Sequence, residues 1–168
     1  MKTLKSIALV FAFVGGFAFA ASAQTSLTKL DGGSVDIEAH KGKVVVLAVG
    51  ASWLPLSNKQ AEYTNALAKK YAGKNVAFYF VVTDSTNPKS KNFAGDDAVR
   101  KFAAANKLGM SILRDSDGAI VLKQFKIDQV PSFVILDKSG NQSGEAFGGI
   151  DPKFDITVPI GKKIDSLL

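Results

Sequence analysis

Two apolar runs separated by a helical pattern limit what this chain can fold into. Residues 43–49 (KVVVLAV) and 75–82 (NVAFYFVV) are each typical of a strand that is buried on both faces. Between them, 55–71 places apolar residues on one helical face, begins with Pro55 and is followed by Gly73, which favour a helix start and a helix stop. A strand, a helix and a strand in this order predict parallel neighbours joined by a right-handed crossover.

The remaining sequence predicts a hairpin before this unit and further elements after it. Turn residues at 31–33 separate two short runs, 26–30 and 34–37, which predict an N-terminal β-hairpin. A helix capped by Asp96 or Asp97 follows, with Val99 and Phe102 on its apolar side. We then expect a short strand at 111–113, a short helix at 119–125, a hairpin of strands at 131–137 and 142–147, and a terminal helix at 159–168. The prediction is an α/β fold with one mixed sheet that has helices on both faces.

The first 23 residues have the pattern of a secretory signal peptide. Lys2 and Lys5 precede residues 7–20, which are apolar apart from glycine, and the small residues 21–23 follow. The apolar run is shorter than the roughly 20 residues that a membrane-spanning helix needs. We therefore expect cleavage near Ala23 and release of one domain, 24–168, into the periplasm or the medium with no membrane anchor.

Composition excludes several kinds of chemistry. The chain has no cysteine and a single histidine, His40, which excludes disulfides, thiolate nucleophiles and multi-histidine metal sites. Its positive charge is spread along the sequence as lysine without an arginine cluster, so nothing predicts binding to nucleic acid. Asp115, Asp117 and Asp128 lack the later ligands of a calcium loop, and a solvated turn is predicted there instead. We expect neither a metal nor another cofactor.

Five motifs follow one another at regular spacing behind the predicted signal peptide. They are KGKVVVL at 41–47, ASWLPLS at 51–57, DAVRKF at 97–102, RDSDG at 114–118 and VPSFVILD at 130–137. Together they resemble the thioredoxin superfamily, in particular the exported thiol-disulfide oxidoreductases of the TlpA/ResA type and the related redoxins. The resemblance covers nearly all of 24–168 and implies a thioredoxin-like fold.

The departure from that family falls on its reactive residues. Where the family has Ala-Ser-Trp-Cys-Pro-Pro-Cys, this chain has Leu54 and Ser57 at the two cysteine positions. Family chemistry requires a thiolate at a helix N-terminus and a second thiol that resolves the mixed disulfide. Leu54 can do neither, and the Ser57 hydroxyl would need a base such as His40, which is remote in sequence. We predict no catalytic residue, and we expect Ser57 to hydrogen-bond locally in the first helical turn.

The resemblance also implies a groove beside the altered motif. Pro131 corresponds to the family's cis-proline, which would leave the Val130 backbone free to pair with an extended peptide. Trp53 either flanks the site or belongs to the core, and 147–149 either forms the rim of the groove or simply ends a strand. The candidate groove is the set Trp53, Leu54, Pro55, Ser57, Val130, Pro131, Phe147 and Gly148.

Three functions remain open at this point. The favoured one is a redox-inactive module that binds an exported polypeptide in the candidate groove, which Leu54 makes more apolar than a thiol would. The alternatives are a redox or antioxidant role exerted with a partner's thiols, and a structural subunit of an exported complex.

Overall fold

A computed structural model describes residues 25–151 and 153–168, so the predicted signal peptide and its cleavage site lie outside the described residues. The elements in chain order are β1 Ser26–Lys29, β2 Ser34–Asp36, β3 Val44–Gly50, α1 Pro55–Lys70, β4 Val76–Val82, α2 Asp96–Ala105, β5 Ser111–Arg114, a 3₁₀ turn Ser116–Gly118, α3 Val121–Gln124, β6 Ser132–Leu136 and α4 Thr157–Asp165. In this part of the chain, no helix is both long and apolar enough to span a bilayer.

The described strands form one mixed sheet in the order β2-β1-β5-β4-β3-β6. The pairs β3–β4 and β4–β5 are parallel, as the strand–helix–strand pattern predicts. The pairs β1–β2, β1–β5 and β3–β6 are antiparallel, so the predicted N-terminal hairpin is present and adds to the β5 edge. The predicted α/β class with a mixed central sheet is confirmed.

Strand β3 lies at the centre of the core because both of its faces are covered. All seven of its residues are buried. Val46 and Ala48 belong to the cluster that packs under α1, α2 and α4. Val45 and Leu47 point the other way, into a cluster with α3 and the N-terminal hairpin. The continuous apolar run in the sequence therefore reflects burial on two sides of the sheet.

The predicted strand at 142–147 is wrong. This segment follows β6 back in the antiparallel direction, but it forms only two isolated bridges, Phe133 with Phe147 and Leu136 with Gln142. Between these bridges it has two residues more than β6, because 142 to 147 spans five steps and 133 to 136 spans three. The extra length forms a bulge at Gly144, whose φ of +86° is a conformation that glycine adopts without strain.

Two helix starts also differ from the prediction. The N-cap of α2 is Gly95, and no side chain caps it; Asp96 and Asp97 lie within the first turn, where their charge favours the helix dipole. The terminal helix begins at Thr157 instead of 159. The Asp155 carboxylate accepts hydrogen bonds from the backbone N–H and the hydroxyl of Thr157, which fixes this earlier start.

Candidate functional site

The altered motif joins the carboxyl end of β3 to the first turn of α1. Leu54 is the N-cap residue of α1 and has an extended backbone, with φ −83° and ψ 122°. Its N–H donates to the carbonyl of Ala51 at 3.1 Å, and its carbonyl accepts the N–H of Ser57 at 2.9 Å. Leu54 is half-buried and Pro55 is exposed. An apolar side chain therefore stands at the helix N-terminus, where backbone N–H groups would favour an anion.

Ser57 makes the local hydrogen bond that its position predicts. Its side chain is fully buried, and its Oγ accepts the backbone N–H of Ala51 at 3.2 Å. His40 does not assist it, because the His40 Nε2 shares a 2.7 Å hydrogen bond with the hydroxyl of Tyr79. Burial raises the pKa of that Tyr79 hydroxyl above its usual value of 10.0. The described structure thus contains no Ser57–His40 pair.

Trp53 is not a core residue, since half of its side chain (50%) is exposed. The Ser52 side chain next to it is tied to the neighbouring strand end by Asp84, which lies two residues beyond β4. The Asp84 carboxylate is fully buried and accepts the Ser52 backbone N–H at 2.8 Å and its hydroxyl at 2.5 Å. Hydrogen bonds to an ionised acceptor are among the stronger ones, so Asp84 fixes the loop that presents Trp53.

The Val130–Pro131 peptide bond is cis, as the resemblance implies. The pairing of Val49 with Ser132 in the β3–β6 register brings this bond beside the carboxyl end of β3, where the altered motif begins. Pro131 is buried and Val130 is half-buried. Among residues 25–151 and 153–168, neither the N–H nor the C=O of Val130 has a hydrogen-bond partner.

The predicted rim lies next to the same strand. The backbones of Phe147 and Phe133 exchange two hydrogen bonds of 2.8 Å, which fixes Phe147 against β6. Gly148 approaches Gln129 so closely that a Cβ at position 148 would stand 2.7 Å from the Gln129 Nε2. Phe147 and Gly148 are both half-buried. The structure therefore places all three segments of the candidate groove around the carboxyl end of β3.

A large pocket of the described structure lies away from the candidate groove. It has a volume of about 1030 Å³ and is lined by residues between β2 and β3, by α3 and by 139–142, including Glu38, Gln124 and Phe125. These residues surround the amino end of β3, and none of them belongs to the candidate groove. Cavity size alone does not indicate the site for an extended polypeptide, because such a segment binds through backbone pairing beside a strand.

The aspartates that could have suggested calcium have structural partners. The Asp115 carboxylate accepts the N–H groups of Ile120 and Val121, which caps α3. The Asp117 carboxylate accepts the hydroxyls of Ser85 and Ser116. In the described part of the chain, no three His, Asp or Glu side chains are grouped so that they could hold a metal ion.

Two buried polar residues at this end of the sheet did not emerge from the sequence. Asp84 shows one signal, because it is an acidic residue two positions after an apolar strand, at the sheet end that also carries the motif. Gln60 shows a weaker one, a polar residue one turn after Ser57 on the buried side of α1. Neither signal indicates which groups these side chains bind, because their partners are distant in sequence.

Comparison with known proteins gives a family match over most of the chain. The redoxin family model matches residues 17–144. The thiol-disulfide oxidoreductase ResA of Bacillus thuringiensis subsp. konkukian is 28% identical over 122 residues, which are 73% of this chain and 65% of that protein. ResA of Bacillus anthracis is 25% identical over the same coverage of 73% and 65%. The chain thus spans slightly less than two thirds of the length of these relatives.

Solved structures with a similar backbone confirm the thioredoxin-like fold. The structure of MTB DsbF in its mixed oxidized and reduced forms has a TM-score of 0.68 at 23% identity, covering 86% of this chain and 96% of its own. The pneumococcal exposed lipoprotein thioredoxin Etrx1 from Streptococcus pneumoniae has a TM-score of 0.68 at 21% identity, covering 86% and 100%. A thioredoxin-like protein from Aeropyrum pernix has a TM-score of 0.66 at 22% identity, covering 85% and 89%.

Proposed function

The chain belongs to the redoxin family, and we propose that it is a redox-inactive member that binds an extended polypeptide in the candidate groove. The observation that carries the proposal is the presence of Leu54 at the N-terminus of α1. Leu54 stands there with a half-buried apolar side chain, next to the half-exposed Trp53 and at the same end of β3 as Val130, whose backbone has no hydrogen-bond partner among the described residues. This surface can make contacts but holds no group that exchanges electrons.

The proposed lack of thiol redox activity is supported by what thiol–disulfide exchange requires. The attacking group must be a thiolate, and a second thiol must resolve the mixed disulfide. This chain has no cysteine at any position. The hydroxyl of Ser57 is no substitute, since it is buried and accepts the Ala51 N–H.

Polypeptide binding is supported by the two kinds of contact that the groove offers. The free N–H and C=O of Val130 can pair with the backbone of an extended segment, as in the addition of a strand to a sheet edge. Trp53 and Leu54 offer apolar surface for one of its side chains, and an indole keeps a polar edge for hydrogen bonding. An extended segment with an apolar side chain is therefore the class of partner that fits.

Export of the mature chain is part of the same proposal. It is supported by the signal-peptide pattern of residues 1–23, and one structural neighbour is described as an exposed lipoprotein thioredoxin. The partner would then be a polypeptide of the periplasm or the medium. Protein purified from the envelope or medium of an expressing bacterium is expected to have the mass of residues 24–168, and an intact mass would contradict export by cleavage.

The binding experiment uses the single tryptophan as the probe. We expect Trp53 emission to change in a saturable way when the mature chain is titrated with extended apolar peptides. Leu54→Asp should abolish the change without unfolding the chain, because aspartate is a good N-cap but places a charge in the groove. The matched control is Val158→Asp, which alters an exposed apolar residue of α4.

Three outcomes would contradict the proposal. One is a flat titration across a varied peptide library, and another is equal binding by Leu54→Asp and Val158→Asp. The third is insulin reduction by the purified chain above the buffer rate, which would favour a redox role. Elution of the native protein as a stable larger species, together with a flat titration, would instead favour a structural subunit.

A further inference from the structure

Gln60, a buried amide in α1, joins the segments that surround the candidate groove. Its side chain is fully buried, and its Nε2 donates to the carbonyl of Val49 at 3.1 Å and to the carbonyl of Ser132 at 2.7 Å. Val49 is near the end of β3, and Ser132 directly follows Pro131. The two amide hydrogens are both used in these contacts. One side chain thus ties α1 to β3 and to the Val130–Pro131 segment.

The surrounding residues are fitted to this amide. A Cβ at Gly50 would stand 2.3 Å from the Gln60 Oε1 and 2.9 Å from the Ser57 Oγ, so only glycine leaves the amide its space. Within the described residues, the Oε1 itself is buried and has no hydrogen-bond partner. A buried acceptor without a partner destabilises a fold. An apolar side chain would avoid this penalty, so the amide is explained better by its two donated bonds than by core packing.

Besides the pairing of Ser132 with Val49 in the β3–β6 ladder, the Val130–Pro131 segment has few anchors among the described residues. Pro131 has no N–H to donate. The Ser132 hydroxyl donates to the carbonyl of Gln129, which closes the segment on itself but does not tie it to the rest of the protein. The bond from Gln60 to the Ser132 carbonyl therefore links this segment directly to α1.

We propose that Gln60 is a positioning residue that orients the free Val130 backbone toward a bound polypeptide. The inference rests on the proposed function, in which the partner's backbone pairs with Val130, and it adds that this pairing depends on the hydrogen bonds that Gln60 donates. A partner held by side-chain contacts alone would not depend on Gln60.

The test replaces the amide with groups of similar size. In Gln60→Glu, a protonated carboxyl can still donate to the Ser132 carbonyl, whereas a carboxylate has no donor and faces carbonyl oxygens. Peptide affinity should therefore be retained at low pH and fall about tenfold as the pH rises through the pKa of the new carboxyl, the effect of one lost hydrogen bond. The wild-type amide does not titrate, so its affinity should not show this transition. Gln60→Leu should bind about tenfold more weakly at every pH.

The control is Thr64→Val, one turn further along α1. The Thr64 hydroxyl is also buried, but it donates within the helix, to the Gln60 carbonyl at 2.7 Å. This variant should lower stability without changing peptide affinity. Circular dichroism of each variant restricts the comparison to folded protein.

A second readout does not require a peptide. In Gln60→Glu, the backbone amide resonances of Val130 and Ser132 should move with the titration of the carboxyl, while those of α4 should not. Peptide affinities that are equal in wild type and both variants, or a Val130 resonance that ignores the titration, would overturn the inference. If wild type binds no peptide but the resonance titrates, the proposed function fails while Gln60 still positions the segment.

Discussion

Asp84 carries a prediction that links stability to the presentation of Trp53. Its carboxylate is fully buried and accepts two hydrogen bonds, both from Ser52, which immediately precedes Trp53. Asp84→Ala removes both bonds and leaves the Ser52 N–H without a partner. The loop between β3 and α1 should then lose its fixed position relative to β4.

The expected loss of stability follows from the type of hydrogen bond that Asp84 accepts. Hydrogen bonds to charged groups contribute about 1.5–3 kcal/mol each. Removing the carboxylate also removes the unfavourable desolvation of a buried charge, which offsets part of the loss. We therefore expect Asp84→Ala to lower the free energy of unfolding by about 3 kcal/mol, which is a fall in Tm of about 10 °C for a domain of this size. Asp84→Asn should lose about half as much, because its amide oxygen still accepts one bond.

Urea unfolding followed by Trp53 emission and by circular dichroism measures this effect. The matched control is Asp117→Asn, at the same end of the sheet, because the exposed Asp117 carboxylate accepts the hydroxyls of Ser85 and Ser116 and asparagine tolerates the φ of +60° at this position. This control should change the free energy of unfolding by less than about 1 kcal/mol. The reasoning is refuted if Asp84→Ala and Asp117→Asn are equally stable, or if the emission of Trp53 in folded Asp84→Ala equals that of wild type.

Two further predictions concern the helix ends. Leu54→Cys combined with Ser57→Cys should give measurable insulin reduction, because the N-terminus of α1 lowers the pKa of a thiol. Activity at the buffer rate would mean that the site differs from an active redoxin beyond these two residues. Hydrogen bonds from the Thr157 hydroxyl and N–H hold the pKa of Asp155 below its usual 3.8, so its contribution to stability is complete above pH 3.8 and is lost as the pH falls through the lowered value. Asp155→Ala should therefore be less stable than wild type at neutral pH and equally stable in strong acid. Urea unfolding measures this effect, and a difference in the free energy of unfolding that stays constant with pH would contradict it.

The sequence predicts the centre of the sheet better than its edge. The bounds of β3, α1 and β4 lie within about one residue of the prediction, because a continuous apolar run, Pro55 and Gly73 are local signals. The segment after β6 could not be predicted in the same way. The turn residues at 138–141 predict a returning strand, but the bulge at Gly144 depends on how many residues oppose β6 in the folded sheet.

The sequence likewise predicts only part of the candidate site. The positions of Leu54, Ser57 and Pro131 follow from motifs that are contiguous in sequence. The roles of Asp84 and Gln60 depend on partners 32 and 72 residues away, which no local pattern contains. The sequence also leaves the exposure of Trp53 open, because an indole after a buried strand fits both a core and a surface position.

The irregular segment after β6 has a consequence for the behaviour of the chain at high concentration. Strand β6 (SFVIL) is uncharged, fully buried and lies at one end of the sheet order. An uncharged apolar strand at a sheet edge is a typical starting point for pairing between molecules. The 142–147 segment occupies its outer edge with only two bridges, and the bulge at Gly144 breaks the regular spacing that an incoming strand would need. We therefore expect this irregularity to hinder the addition of a strand from another molecule at β6.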